Sequence, residues 1–203
     1  MLQLAVFVSG RGSNLRSIHM AIKERRLTAE IVAVVTNLDS APARSFAEGE
    51  GIPCLSVEGK FPDEQARVML DFLEAQSADF IALAGYVKLI PAEVVAAFPQ
   101  RMVNIHPALL PAFGGKGMYG RRVHEAVLAS GVQVSGATVH LVDEEYDRGP
   151  IVMQRSVIVH SDDTVDSLAE RVLDVEHTIY PEALQLFAER RVEVIDNRIF
   201  IRN

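Results

Sequence analysis

Two side chains near the middle of the chain have the types and spacing needed for acid–base chemistry. Asn104 and His106 stand two residues apart at the end of an apolar run, and in a strand that spacing places both side chains on one face. Asn104 offers an amide donor and His106 a titratable imidazole. A carboxylate such as Asp147 beside the imidazole would orient it and raise its pKa by opposite charge. The three residues predict a site that stabilises a developing oxyanion and moves a proton.

A glycine-rich loop follows the first predicted strand. Gly10 and Gly12 allow a tight turn, and the backbone amides of Gly12, Ser13 and Asn14 would point at an anion over a helix N-terminus. The loop lacks the Gly-Lys-Ser/Thr of a Walker motif. Leu15 stands where a dinucleotide-binding loop has its third glycine. The pattern therefore predicts a site for a phosphate monoester rather than for a nicotinamide dinucleotide.

Apolar runs and helical segments alternate through the first half of the chain. The predicted strands are residues 2–8, 31–35, 52–57, 79–84 and 101–105, and the predicted helices are residues 14–26, 43–50, 63–76 and 91–98. Strands that are apolar on both faces are typical of a parallel sheet covered by helices on both sides. We therefore expect an α/β fold with a Rossmann-like, mostly parallel twisted sheet. Ser13 is expected to cap the first helix.

The second half adds antiparallel strands and a long helix. The predicted elements are a helix at 120–130, strands at 134–142 and 150–159, a helix at 163–190 and a hairpin of 192–194 with 199–201. The two longer strands are expected to run antiparallel. Pro181 is expected to kink or break the long helix. We predict one domain, residues 1–203, with halves 1–105 and 106–203.

Composition excludes several classes of protein. The formal net charge of -7 argues against a nucleic-acid binder, which needs a basic surface. Cys54 is the only cysteine, so the chain has no internal disulfide and no cysteine cluster for zinc, which fits the cytoplasm. No signal peptide and no membrane span is predicted, because charged residues and proline interrupt each apolar run.

Four motifs in order carry a family resemblance. They are residues 9–15 (SGRGSNL), 83–86 (LAGY), 104–111 (NIHPALLP) and 147–150 (DRGP). With them the chain resembles the folate-dependent formyltransferases over essentially its whole length. The first motif narrows the resemblance to members that formylate glycinamide ribonucleotide.

The resemblance implies a role for each motif residue. The implied catalytic residues are Asn104, His106 and Asp147. Those implied for the phosphate and ribose of the ribonucleotide are Gly12, Ser13, Asn14 and Glu176. Those implied for folate are Val87, Lys88, Leu89, Ile90, Asn104, Asp143, Glu144, Glu145, Tyr146 and Asp147. On this basis residues 1–105 form the phosphate-binding half and residues 106–203 the folate-binding, catalytic half.

The implied activity is formyl transfer from 10-formyltetrahydrofolate to the amine of 5'-phosphoribosylglycinamide in de novo purine (IMP) biosynthesis. The implied co-substrate is 10-formyltetrahydrofolate, with no metal. The expected partners are these small molecules, with no nucleic acid or membrane, and the protein is expected to be a monomer or homodimer. The alternatives are hydrolysis of 10-formyltetrahydrofolate, a different amine acceptor, and a non-catalytic nucleotide-phosphate-binding module, which should ignore folate.

Plainer interpretations also exist for single residues. Taken alone, His106 could be a strand-end histidine, Asp147 a turn residue and Glu176 part of a solvated helix face. His140 is expected to be structural or, at most, to support the site. The loops at 111–120 and 143–147 are expected to be mobile without ligand, because both flank the predicted site. The segment 113–120 is longer than in some formyltransferases.

Overall fold

The structure is a computed structural model that describes residues 1–202, apart from the side chains of residues 62 and 63. It contains two compact units, Met1–Val103 and a second that begins at Asn104. The predicted organisation as one domain in two functional halves stays a prediction.

The first unit alternates strands with helices. Its elements are β1 (Leu2–Val8), α1 (Ser13–Lys23), β2 (Ala29–Thr36), α2 (Pro42–Gly49), β3 (Cys54–Ser56), α3 (Pro62–Ala75), β4 (Phe80–Leu83) and α4 (Ala92–Ala97). The strands lie in the order β3-β2-β1-β4, and all three neighbouring pairs are parallel. β1 is the centre of this arrangement, and its residues from Leu4 onward are almost completely buried. Apolar runs on both faces require this burial.

Helix α1 begins and ends differently from the prediction. Gly12, not Ser13, is the N-cap: its φ of 73° lies in the left-handed region, and no side-chain hydrogen bond caps the helix. Gly12 thus turns the chain directly into the helix and makes Ser13 its first residue. The helix ends at Lys23 rather than near Arg26, because Arg25 adopts a φ of 59°. A left-handed arginine has no sequence signal comparable to a terminal glycine.

Strand β5 (Met102–His106) starts in the first unit and ends in the second. The other elements of the second unit are α5 (Arg121–Ser130), β6 (Val134–Leu141), β7 (Ile151–Ile158), α6 (Val165–Ala188), β8 (Val192–Ile195) and β9 (Arg198–Ile201). β6 lies between β5 and β7 and pairs antiparallel with β7, as predicted. β8 and β9 form the predicted antiparallel hairpin, with Asp196 and Asn197 at positive φ in its turn.

Helix α6 is continuous through Pro181, so the predicted break is wrong. The neighbouring residues Ile179, Tyr180, Ala183 and Leu184 are completely buried. Packing on both sides of the proline therefore keeps the helix continuous, although the proline lacks a backbone donor. The helix starts with a capping box, in which the Thr164 and Ser167 side chains each accept a hydrogen bond from the other's backbone amide.

The α/β class is confirmed, with a mainly parallel sheet and a second half that adds antiparallel strands and a long helix. Within residues 1–202, the structure contains no helix with both the length and the apolar composition required to cross a membrane.

Candidate active site

The end of β5 presents Asn104 and His106, and both side chains contact Asp147. His106 is only 3% exposed. Its Nδ1 lies 3.5 Å from Asp147 Oδ2. The Asn104 amide Nδ2 donates to Asp147 Oδ1 at 3.4 Å. Because residues i and i+2 of a strand share a face, one carboxylate can meet both side chains. The structure thus brings the three predicted catalytic residues together.

Asp147 reaches this position through a tight turn after β6. Its own φ is 57°, in the left-handed region that aspartate tolerates better than most residues. Gly149 makes the turn possible: a side-chain carbon at that position would overlap the Leu141 carbonyl oxygen. The sequence Asp147-Arg148-Gly149 therefore holds the carboxylate against the end of β6.

His140 is a fourth member of the cluster. Its Nδ1 lies 2.8 Å from the Leu141 carbonyl oxygen and donates to it, so in the neutral ring Nε2 is an acceptor. The Asn104 amide Nδ2 lies 3.1 Å from this Nε2 and donates to it. The same Nε2 is 3.5 Å from Asp147 Oδ1. His140 therefore orients the Asn104 amide, a more direct part than sequence analysis gave it.

The segment between β5 and α5 supplies two backbone contacts. The Phe113 carbonyl oxygen accepts a hydrogen bond from His106 Nε2 at 2.8 Å. The Gly115 amide donates to Asp147 Oδ2 at 2.8 Å. Neither contact could be predicted from the sequence, because backbone carbonyl and amide groups do not depend on the residue type. Together they place this loop directly on the imidazole and the carboxylate.

A polar brace around the buried Thr138 holds the start of the same segment. The Thr138 hydroxyl, completely buried, donates to the Ala108 carbonyl at 2.6 Å and accepts from the Leu110 amide at 3.0 Å. Gln154 Nε2 donates to both Thr138 Oγ1 and the Leu110 carbonyl, each at 2.9 Å. Every contact satisfies a group that would be costly to bury alone. The loop therefore leaves β5 from a fixed point.

Burial dominates the electrostatics of His106. The loss of water around the ring lowers the pKa of His106 below its ordinary value, while Asp147 and the Phe113 carbonyl act in the opposite direction. The predicted net rise in pKa is therefore wrong, although the effect of Asp147 has the predicted sign. The cost of burying a charge is the larger effect for a ring this well covered.

Asp147 stays ionised in the same surroundings. Burial by itself would raise the pKa of Asp147, but the His140 and His106 rings and the Gly115 amide together hold it below its ordinary value. The cluster at neutral pH therefore combines a carboxylate with a mainly neutral His106. This is the protonation state of a general base that is held beside an anion.

Four of the residues implied for folate directly precede Asp147 in the chain. Asp143, Glu144, Glu145 and Tyr146 are exposed. The Asp143 carboxylate accepts from the Glu145 amide at 2.9 Å, which gives the loop a local turn. These residues are close to Asp147 along the chain, and their contact with folate stays a prediction.

In the first unit, the glycine-rich loop packs against the segment after β4. The Ser9 hydroxyl accepts from the Val87 amide at 3.0 Å, and the Ser9 amide donates to the Gly85 carbonyl at 3.2 Å. The predicted folate segment therefore lies beside this loop, with Val87, Lys88 and Leu89 exposed and Ile90 buried.

Helix α2 holds the other side of the glycine-rich loop. The Gly10 carbonyl accepts from the Ala43 amide at 3.3 Å. A side-chain carbon on Gly12 would lie 2.9 Å from Ala43 Cβ, closer than such atoms approach. Ser13 and Asn14 form the first turn of α1, which carries no acidic residue. The first turn of a helix has free amides that attract anions.

Glu176 lies on α6 in the second unit. It is 8% exposed, so it is not part of a solvated face. It lies near the fully buried Tyr180, one turn further along α6, and its charge adds to the burial that raises the pKa of that phenol. A buried carboxylate needs a specific reason to be there. Its predicted contact with ribose stays a prediction.

Among residues 1–202, no group of three or more His, Cys, Asp or Glu side chains is placed to hold a metal ion.

Comparisons with known proteins match the chain to one family. Residues 2–184 match the formyl transferase family model. The chloroplastic phosphoribosylglycinamide formyltransferase of Arabidopsis thaliana is 47% identical over 94% of the chain, which spans 67% of that relative. The phosphoribosylglycinamide formyltransferase of Bacillus subtilis is 35% identical, with 91% of the chain and 94% of the relative covered.

Solved structures agree with these matches. The glycinamide ribonucleotide transformylase 1 of Symbiobacterium toebii has a TM-score of 0.94 and 35% identity, with 100% of the chain and 95% of that structure covered. A formyltetrahydrofolate deformylase of Pseudomonas syringae is less similar in sequence, at 26% identity with a TM-score of 0.89, and the chain covers 67% of its length. The chain spans between 62% and 67% of the length of the plant relatives it matches.

Proposed function

The chain belongs to the formyl transferase family, and on that premise we propose that it transfers a formyl group from 10-formyltetrahydrofolate to the amine of 5'-phosphoribosylglycinamide, a step of purine biosynthesis. The observation that carries this proposal is the convergence of Asn104 and His106 on the Asp147 carboxylate. Relatives with the name phosphoribosylglycinamide formyltransferase support this acceptor over hydrolysis of the folate.

The Asn104 amide is the hydrogen-bond donor for the negative charge that develops during the reaction. Attack of the amine on the formyl carbon forms a carbon–nitrogen bond and moves an electron pair onto the formyl oxygen. Asn104 has two amide hydrogens, directed at His140 and Asp147. The 3.4 Å contact with Asp147 is long and therefore weak, so the same hydrogen can also be shared with the formyl oxygen. One such donor contributes about 3–4 kcal/mol to the transition state.

The lowered pKa of His106 gives it a role in proton transfer. A neutral imidazole takes the proton that the attacking amine loses. Asp147 stabilises the imidazolium that results. The same proton then goes to the folate nitrogen, as the bond between that nitrogen and the formyl carbon breaks. The proton count balances without any further reactant.

The residues predicted to bind the ribonucleotide and those predicted to bind folate hold the two substrates. Gly12, Ser13 and Asn14 bind the phosphate of the ribonucleotide through the start of α1, and Glu176 binds its ribose. The exposed segment of Val87, Lys88 and Leu89, with Ile90 and the residues 143–146, binds folate. Aligning two bound substrates supplies much of the rate in such a transfer. A cytoplasmic location belongs to the same proposal.

The test is an assay of 10-formyltetrahydrofolate consumption with and without 5'-phosphoribosylglycinamide. The proposal predicts consumption that requires the ribonucleotide and yields its formamide. Equal consumption without the ribonucleotide would instead identify a hydrolase. Folate binding without turnover would indicate a different amine acceptor. A protein that binds the ribonucleotide but ignores folate in a titration would be a phosphate-binding module.

A further inference from the structure

Backbone atoms of one loop contact both ends of the His106–Asp147 pair. The Phe113 carbonyl accepts from His106 Nε2, and the Gly115 amide donates to Asp147 Oδ2, each at 2.8 Å. These distances are shorter than the 3.5 Å between His106 Nδ1 and Asp147 Oδ2. The loop backbone therefore makes the best hydrogen bonds that either side chain has within residues 1–202.

The local conformation needed for these contacts depends on glycine. Phe113 and Gly115 both have positive φ, 56° and 97°. Between them, Gly114 packs directly on the cluster: a side-chain carbon there would overlap Leu110 Cδ2 and lie 3.2 Å from Asp147 Cβ. A larger residue at 114 would therefore displace Leu110 and press on Asp147, while the positive φ of residue 115 favours glycine. The loop is built to approach the carboxylate closely.

The Phe113 carbonyl also decides which ring nitrogen carries the proton. A carbonyl oxygen only accepts, so His106 Nε2 must be the donor. A neutral imidazole has one N–H, which leaves Nδ1 with a lone pair that faces Asp147 Oδ2. A proton added to the ring therefore enters at Nδ1, between the ring and the carboxylate.

We propose that the backbone of residues 113–115 is a positioning element that keeps Nε2–H of His106 on the Phe113 carbonyl, so that Nδ1 alone takes up and returns the proton in catalysis. The role of Nδ1 in proton transfer rests on the proposed function. The assignment of the hydrogen to Nε2 does not. In the transfer, the proton from the amine forms a bond to Nδ1 and later leaves from the same atom to the folate nitrogen.

The charges around His106 agree with this assignment. Three titratable groups are coupled to the ring: Asp147 and His140 shift the pKa of His106, and His106 in turn lowers the pKa of His124 of α5. Asp147 favours a proton on the side it faces, which is Nδ1, and the two histidines oppose a second positive charge. The Gly115 amide bonds to Asp147 Oδ2 and so moderates the attraction of Nδ1 for a proton. A nitrogen that gains and loses a proton readily is suited to a shuttle.

The direct test is nitrogen NMR of the protein labelled with ¹⁵N-histidine, in the absence of any substrate. The His106 signals are identified by their loss in His106→Gln. The expected neutral ring has hydrogen on Nε2 and none on Nδ1, and acidification adds a proton to Nδ1. A neutral ring with hydrogen on Nδ1 would overturn the inference. This reading does not depend on activity, so it stands apart from any failure of the proposed function.

Gly114→Ala tests the loop itself. The added carbon should push the loop off Asp147 and remove the Phe113 contact, so the neutral ring becomes a mixture of both tautomers. The acid limb of kcat/KM should shift to lower pH, because the Phe113 carbonyl raises the pKa of His106. We expect kcat to fall about tenfold with smaller changes in either KM. A folded variant with the wild-type tautomer and pH profile would contradict the proposal.

Two further variants control this experiment. Gly49→Ala lies at the end of α2, with ordinary φ and no atom within 4 Å of the added carbon, and should change nothing. Phe113→Asn replaces the side chain but keeps the carbonyl and tolerates positive φ. It should keep the Nε2–H tautomer, and a change of tautomer in that variant would show that the side chain, not the backbone, positions His106.

Discussion

The second unit gathers side chains around a buried carboxylate, whereas the glycine-rich loop of the first unit offers backbone atoms. Asn104, His106 and His140 all lie within 3.5 Å of Asp147 or of each other. The loop of the first unit is shaped instead by Gly12 and by the hydrogen bonds of Ser9. Titratable groups can move protons, but helix amides can only hold an anion.

This difference separates the expected effects of mutation. Changes in the cluster of the second unit should alter kcat and its pH dependence. Changes in the loop of the first unit should alter the KM of the ribonucleotide and leave the pH dependence unchanged. A change of kcat or of the pH dependence on mutation of the first-unit loop would remove this distinction.

The largest effect is expected for His106→Ala. It removes the group that moves the proton, and general acid–base catalysis contributes typically 10²–10⁴-fold, so kcat should fall by at least about 100-fold. The KM of both substrates should change little. Steady-state kinetics with each substrate varied in turn measures both quantities. Turnover near that of the wild type would remove His106 from the mechanism.

A smaller effect is expected for His140→Phe. The variant leaves the Asn104 amide without its 3.1 Å acceptor, so the amide loses its orientation and kcat should fall about tenfold. His140→Gln offers a carbonyl oxygen in place of Nε2 and should recover part of the loss. If the two variants lose equally, the side chain acts only by packing, and the cluster has three members rather than four.

The matching test in the first unit is Gly12→Ala. Alanine at a φ of 73° is strained, and its Cβ would press on Ala43, so the start of α1 should shift. We expect the KM of the ribonucleotide to rise several-fold while kcat and the pH profile stay unchanged. Gly49→Ala is the control for glycine replacement in the same unit. A shift in the pH profile would show that the two regions are not functionally separate.

The smallest expected effect is on stability in mild acid. His106, His124 and His177 of the second unit all have pKa values lowered, mainly by burial. Below the ordinary histidine pKa of about 6.5, the unfolded chain binds protons that the folded chain refuses, so stability falls as pH falls. Between pH 7 and 5.5 the loss should be on the order of 1 kcal/mol.

Hydrogen exchange at the two pH values measures this loss, which should concentrate in the second unit. His124→Gln removes a buried ring whose Nδ1 has no hydrogen-bond partner within residues 1–202, and should reduce the acid effect. His160→Gln, at an exposed position, is the matched control. Equal loss of protection in both units would contradict the assignment of the effect to these histidines.

Much of the fold could be predicted because apolar periodicity reports burial directly. β1 has the bounds expected for it, and the turn at Asp196 and Asn197 was evident from residues that accept positive φ. The break predicted at Pro181 is wrong because tertiary packing keeps the helix intact. A local sequence pattern does not contain that packing. The prediction of Ser13 as the N-cap is wrong because the left-handed Gly12 before it already starts the helix.

Some contacts of the candidate site could likewise be predicted from the sequence, and others could not. Asn104 and His106 could be paired from strand spacing, and Asp147 joined them through the family motif. The role of His140 depends on β6 lying beside β5, which is a long-range fact. The net direction of the His106 pKa depends on how completely the ring is buried. The Phe113 and Gly115 contacts come from backbone, so residue types could not reveal them.

The most direct test of the account follows the formyl carbon. The protein is incubated with 10-formyltetrahydrofolate that carries a ¹³C-formyl group, with 5'-phosphoribosylglycinamide, and the products of the wild type and of His106→Ala are compared by NMR. The account predicts that the wild type places the label on the ribonucleotide nitrogen as a formamide, at a rate that falls at least about 100-fold in the variant. Label released as free formate at the same rate with and without the ribonucleotide, or an undiminished rate in the variant, would contradict it.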